Sequence, residues 1–340
     1  MASSVLLVAD PGAPAALAED LCKKLKHSEA NADLTVSVHT GTYRLTEQDA
    51  LTEVLDEVAP ASQREDVVVY VTDLPRRDGT QPVVADISIP QRFGVISVPS
   101  VGGLFVSRRV RAMVESVIAE VAEEVEDPTV PGRLTRTEGN GVVRYAASPR
   151  FARARLLMGM IYANRPWKLA AGLSRVLMAT FATGAVSLAY PTIWQLSSTM
   201  GPWRIGVTTV LATAAMVGWL IVNHKLWERP RSPTERERAV LYNASTVLTL
   251  TIGVVVLHAT CFVLLLVTAW WTLPPQMLEQ NLGHPVGVPD FLRLAWLVAA
   301  IATLGGALGS GLEDDRAVKQ AAYGARQQQR FDEDDDKADG

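Results

Sequence analysis

Two rhythms of apolar residues divide this chain. Up to about residue 126, short apolar runs alternate with polar turns and with stripes at helical spacing. Beyond residue 168 come four long apolar stretches, at about 169–190, 205–222, 245–271 and 291–312. None carries an Asp, Glu, Lys or Arg near its middle. Each approaches the roughly 20 residues that cross a hydrocarbon core as a helix, the form that satisfies its own backbone in lipid. The pattern predicts a soluble α/β head followed by an all-α four-helix transmembrane domain.

Within the head, Val5 to Ala9 reads as a buried strand closed by a turn at Asp10-Pro11-Gly12. Leu17, Leu21 and Leu25 mark a helix; Leu34, Val36 and Val38 mark an alternating strand. Thr46 is placed to cap a helix with Leu51, Val54, Leu55 and Val58 on one face. Val67 to Val71 is a second buried strand, and Val83–Ile87 and Val95–Val98 flank a turn as an appended hairpin. Val106, Val110, Met113, Val117 and Val121 form the stripe of a long helix. This βαβ alternation predicts a small, mostly parallel sheet with flanking helices over 1–126. Residues 127–148, rich in Pro, Gly, Thr and Arg, read as a linker with one short strand at Val142-Val143. Residues 149–167 read as a basic juxtamembrane segment. It is an interfacial helix, an extension of the first span, or a helix packed under the head.

Charge sets the expected orientation. The net charge of −4 averages over a mixed-charge head and an apolar remainder. Lys and Arg concentrate before the first span, between the second and third, and after the fourth. The other two loops carry only Arg204 and Arg293. By the positive-inside rule the head, middle loop and tail (313–340) face the cytoplasm of a multi-pass plasma-membrane protein. No basic n-region and apolar h-region opens the chain, so no cleaved leader is expected. Arg150, Arg153, Arg155, Arg229 and Arg231 are the expected contacts to anionic lipid headgroups. Nucleic acid is not an expected partner, because the basic residues gather beside the bilayer. A protein partner or a second copy is compatible with the Gly305/Gly309 spacing, which also suits packing within the bundle.

Candidate chemistry is sparse. In an open α/β sheet, ligands gather beyond the carboxyl ends of the strands. That edge would carry Asp10 and Gly12, then Asp73, Arg76 and Arg77, with Asp86 as a further carboxylate. Ser100, Gly102 and Gly103 precede the last helix, where backbone amides can receive an anion. The same residues also suit ordinary turns and caps. Neither G-x-x-x-x-G-K-[ST] nor G-x-G-x-x-G occurs, nor H-E-x-x-H or G-x-S-x-G. No cofactor or metal is named, and Cys22 and Cys261 are too separated to suggest a disulfide. His258, central in the third stretch, is a candidate intramembrane polar site.

Several segments together carry a resemblance: Asp73-Leu74-Pro75-Arg76-Arg77, Ala163-Asn164-Arg165-Pro166-Trp167, Gly283-His284-Pro285-Val286-Gly287 and Gly309-Ser310-Gly311-Leu312-Glu313-Asp314. The chain resembles a group of actinobacterial integral membrane proteins with an N-terminal cytoplasmic head and four C-terminal helices. That resemblance implies the architecture and brings no catalytic residue. The leading expectation is a non-enzymatic sensor, scaffold or accessory subunit whose head binds a small ligand or protein. The alternatives are a membrane-anchored enzyme acting on an anionic metabolite, and a small transporter or channel.

Overall fold

The computed structural model describes residues 4–26, 34–41, 43, 45, 50–58, 66–121, 133–166, 174–230 and 236–309. Two compact units emerge, with described parts 4–165 and 166–309.

The first unit is built on one mixed sheet. Its elements are β1 (Ser4–Ala9), α1 (Ala13–Lys26), β2 (Thr35–Thr40), α2 (Leu51–Val58), β3 (Val67–Thr72), β4 (Arg77–Asp78) and β5 (Gln81–Ser88). They continue with β6 (Phe93–Ser97), α3 (Val98–Val101), α4 (Val106–Val121), β7 (Leu134–Gly139), β8 (Val142–Ala147) and α5 (Ala152–Asn164). The strand order is β2-β1-β3-β6-β5-β8-β7, with β4 paired to β5 off this path. β2, β1, β3 and β6 run parallel; β5, β8 and β7 join antiparallel.

Strands β1 and β3 are buried on both faces, which is why they read as unbroken apolar runs. Val5, Leu7 and Ala9 pack with α1 and α4 through Leu17, Leu21, Val110 and Val117. Leu6 and Val8 pack on the other face with Val54 and Val58 of α2. Gly94 in β6 lets α4 lie close, since an added methyl would stand 2.6 Å from Val117 Cγ1.

The expected α/β sheet with flanking helices is present, and it is mixed, because a run of antiparallel strands extends the parallel set. The expected hairpin is β5–β6, added to the parallel set through β6, which pairs with β3. Residues 134–147 are a second hairpin and not a linker. Its turn has Asn140 at φ 53° and Gly141 at φ 74°, the positive-φ pair that matches the twist of two-residue hairpins. Thr46, expected as a helix cap, lies outside the described residues.

Among the alternatives left for 149–167, α5 packs within the head. A methyl at Gly159 would collide with the Pro99 carbonyl, so the glycine is what lets α5 sit on α3. Arg165 closes the helix at φ 52°, and its guanidinium donates to the Gly12 carbonyl at 3.3 Å.

The second unit is helical: α6 (Ser174–Ser187), α7 (Pro191–Thr199), α8 (Pro202–Asn223), α9 (Arg236–Thr272), α10 (Pro275–Leu282) and α11 (Val288–Gly309). α8, α9 and α11 are long and apolar enough to cross a membrane. The chain is thus a multi-pass membrane protein by length and composition. The expected first span differs from the other three. Its described part is α6, which meets α7 at a bend of 92°, so the pair is a broken span or a re-entrant loop. Pro191 at the first turn of α7 cannot prolong the preceding helix. Trp194, 1% exposed, pins the bend by donating from Nε1 to the Leu188 carbonyl at 2.8 Å.

Within this unit Gly306 sits against Thr180 and Gly305 against Thr183, so small residues let α11 approach α6. The outward surface is apolar instead, with Val210, Val222, Val267 and Trp271 exposed. Gly283, at φ 73°, caps α10 by donating to the Glu279 carbonyl, which makes 283–287 a turn.

Candidate functional site

The most site-like place in the head is the edge where β1 and β3 part. From β1 the chain crosses through α1 to β2 on one side; from β2 it returns through α2 to β3 on the other. Such a reversal leaves a crevice beyond the strand ends. Asp10 follows β1 there, and Thr72 and Asp73 end β3.

Asp10 is fully buried. Its carboxylate accepts from Tyr70 Oη at 2.7 Å, Thr72 Oγ1 at 2.7 Å and the Asp73 amide at 3.1 Å. A buried carboxylate needs such a set of donors, and these three tie the end of β1 to the end of β3. Tyr70 in turn meets the edge of Tyr43, ring centroids 5.5 Å apart. Gly12, at φ 98°, has open space around its α-carbon, and its carbonyl takes the Arg165 contact. Asp10, Gly12 and Asp73 therefore come together.

Arg76, Arg77 and Asp86 do not join them as an anion site. Asp86, 2% exposed, accepts from Arg76 Nη2 at 3.3 Å and from Arg144 Nε at 2.7 Å. Arg144 also reaches Asp78 at 2.7 Å. Burial alone would lower the pKa of Arg144, but Asp86 and then Asp78 outweigh it and raise it. Arg77 lies in β4, paired with Pro82. Arg76 is thus engaged in an ionic clasp with Asp86, Arg144 and Asp78, centred on the buried Asp86 and joining the start of β4 to β5 and β8.

The amides before α4 are also engaged. The Ser100 amide donates to Ser97 Oγ at 3.4 Å and the Gly102 amide to the Pro99 carbonyl at 3.1 Å. Ser97 Oγ donates to the Leu74 carbonyl at 2.6 Å, and Ser100 Oγ to the Arg76 carbonyl at 2.9 Å. These bonds fasten the loop after β3 onto α3.

Two polar groupings are not assembled by sequence reasoning, although Arg155 of the second was expected to meet lipid headgroups. Glu120 on α4 accepts from Arg136 Nε at 2.8 Å and Tyr145 Oη at 2.5 Å. Burial would raise its pKa; Arg136 and Tyr145 outweigh that and hold it below the ordinary value. Burial, then the neighbouring Glu120 carboxylate, pushes the Tyr145 phenol up. The second grouping sits around Gly102. Arg155 Nε donates to the Ser100 carbonyl at 2.6 Å and Arg109 Nη1 to the Val101 carbonyl at 3.2 Å. Burial, and then the like charge of Arg109, lowers the Arg155 pKa.

In the membrane unit His258 is buried. Its Nδ1 lies 3.4 Å from Thr303 Oγ1, and its ring meets the edge of Trp296 at 5.5 Å between centroids. Thr303 already donates to the Ala299 carbonyl, which leaves Nδ1 as the donor. Nε2 has no hydrogen-bond partner among the described residues.

No family model, no curated protein and no solved structure matches the chain. Among the described residues no three His, Cys, Asp or Glu side chains are grouped to hold a metal ion. The chemistry on offer at these strand ends is hydrogen bonding, centred on the buried Asp10 carboxylate and the Asp73 amide.

Proposed function

We propose that this protein is a non-enzymatic sensor or scaffold of the plasma membrane, of the actinobacterial kind its motifs resemble. Its head recognises a small ligand or a protein partner at the crevice between the ends of β1 and β3. The head, the loop before α9 and the C-terminal tail lie on the cytoplasmic side, in keeping with the distribution of Lys and Arg. The observation that carries the reading is the reversal of strand order at Asp10 and Asp73, the position where open α/β sheets take ligands. Asp10 acts there as a fixed hydrogen-bonded brace, and half-buried Asp73 with the backbone around Gly12 meets the ligand.

The test is a thermal-unfolding screen of the full chain in lipid nanodiscs against nucleotides, phosphorylated metabolites and divalent cations. A ligand that binds the folded state raises the melting temperature by mass action. The expected result is a shift from one ligand class that is lost in Asp73→Asn, or, with no such class, a protein crosslinked through a photoreactive group at residue 73. Turnover of any of these compounds that disappears in Asp73→Asn would place the protein among enzymes instead.

A further inference from the structure

The two residues before α4 are unusual for a folded head. Leu104 and Phe105 are 64% and 76% exposed, and Phe105 is held at φ 52°, a region that bulky side chains avoid. Beside them Met158 of α5 is 48% exposed. It adjoins this turn directly, since a methyl at Gly103 would lie 2.9 Å from Met158 Cβ. An apolar knob of Leu, Phe and Met therefore projects from the head at the joint between α4 and α5.

Arg109 and Arg155 stand at the base of this knob, both within 4 Å of where a side chain on Gly102 would begin. Each spends one donor on a carbonyl at the end of α3. A guanidinium has five such donors, and among the described residues neither Arg109 nor Arg155 pairs with a carboxylate. Two like charges held side by side, with no carboxylate paired to them among the described residues, favour an external anion. Arg108 and Arg150 are exposed on the same two elements or their ends and add to the field.

Chain length says which anion is at hand. α5 is capped at Arg165, and the first helix described in the membrane unit starts at Ser174. Fully extended, the intervening segment spans only about 30 Å. A tether of that length keeps the end of α5 within reach of a bilayer whose headgroups bear phosphates.

We infer that the head docks on the membrane surface through this joint, Phe105 and Leu104 entering the acyl boundary while Arg109 and Arg155 bind the phosphates of anionic lipids. The design combines apolar insertion with electrostatic attraction, each too weak alone for stable attachment. This goes beyond the proposed ligand crevice and does not depend on it.

The test uses the full chain with Cys22→Ser, Cys261→Ala and Phe105→Cys, spin-labelled at position 105, in nanodiscs of phosphatidylcholine with or without phosphatidylglycerol. Collision with oxygen, which concentrates in lipid, is compared with collision with a water-soluble nickel chelate. A second label at exposed Glu53 on α2 reports an unrelated surface. Expected is a label at 105 that turns oxygen-accessible and nickel-protected only with phosphatidylglycerol, while that at 53 stays in water. Arg109→Gln with Arg155→Gln, checked for an unchanged melting temperature, should weaken docking about tenfold or more and return the label to water. Should this pair unfold the head, Arg108→Gln with Arg150→Gln offers a milder loss on the exposed charges. A nickel-exposed label in both lipids overturns the proposal. So does one shielded from both reagents, which means protein covers the knob, or one whose change is reproduced by inorganic phosphate without anionic lipid.

Discussion

In the head, Asp86 is held by two guanidinium groups and Glu120 by a guanidinium and a phenol. At similar burial in the membrane unit, His258 has one long contact to Thr303. The head buries the carboxylates of Asp86 and Glu120 and answers both with designated partners, because water surrounds its unfolded chain and an unpaired buried ion is very costly. The membrane unit buries neutral groups that can be left half-satisfied, and it turns its apolar side chains outward. Lipid is as apolar as leucine, so its helices associate through close approach at Gly305 and Gly306 rather than by escaping water. Loss of a polar group should therefore cost much more in the head.

Asp86→Ala is the severest test. It leaves Arg76 buried opposite an empty position and should destabilise the head by about 3–5 kcal/mol. Chemical unfolding of the full chain, followed by a head-specific probe, reads the change. A loss below about 1 kcal/mol would mean that water replaces the carboxylate and that the clasp is not an interior feature.

Glu120→Gln should cost less, about 1–2 kcal/mol near neutral pH, as a charged hydrogen-bond acceptor becomes a neutral one. Its signature is the pH profile. The folded pKa lies below the unfolded one, so the stabilisation is complete above the ordinary glutamate range. It is lost as pH falls from that range through the depressed folded value. Melting curves of the parent should fall across this window and those of Glu120→Gln should fall less. Parallel curves would assign the acid sensitivity to other carboxylates.

His258→Ala should be the mildest, below about 1 kcal/mol, in the range of interhelical hydrogen bonds in bilayers. Unfolding in mixed micelles or under force measures it. A loss equal to that of Asp86→Ala would erase the contrast between the units.

Legibility in the sequence follows the range of the interactions. β1 and β3 were plain because burial on both faces writes an unbroken apolar run. The β7–β8 hairpin was not, since β7 alternates Thr, Arg and Glu at a largely exposed edge. Its Asn140-Gly141 turn was the available signal. That Asp10 and Asp73 meet at one end of the sheet was readable from strand ends. The capture of Arg76 and Arg144 by Asp86 was not, because sheet register brings Arg144 to Asp86 from 58 residues away. The Arg109–Arg155 pair joins two helices far apart in sequence and leaves no local trace. The bend between α6 and α7 was marked only by Pro191, while composition stayed apolar on both sides.

α9 runs unbroken for 37 residues, about 55 Å at the rise of an α-helix, against a hydrocarbon thickness of roughly 30 Å. Held along the bilayer normal, a helix of that length exceeds the acyl region, and its charged Arg236-Glu237-Arg238 end is the one suited to water. Asn243 fastens this end to the chain before it through paired bonds to the backbone of Glu228, each 2.9 Å. A rod without a hinge is a lever: pivoting it by about 10° about its far tip sweeps the Arg236 end through about 10 Å. A change in the tilt of α9 thereby displaces its end, with no change of fold.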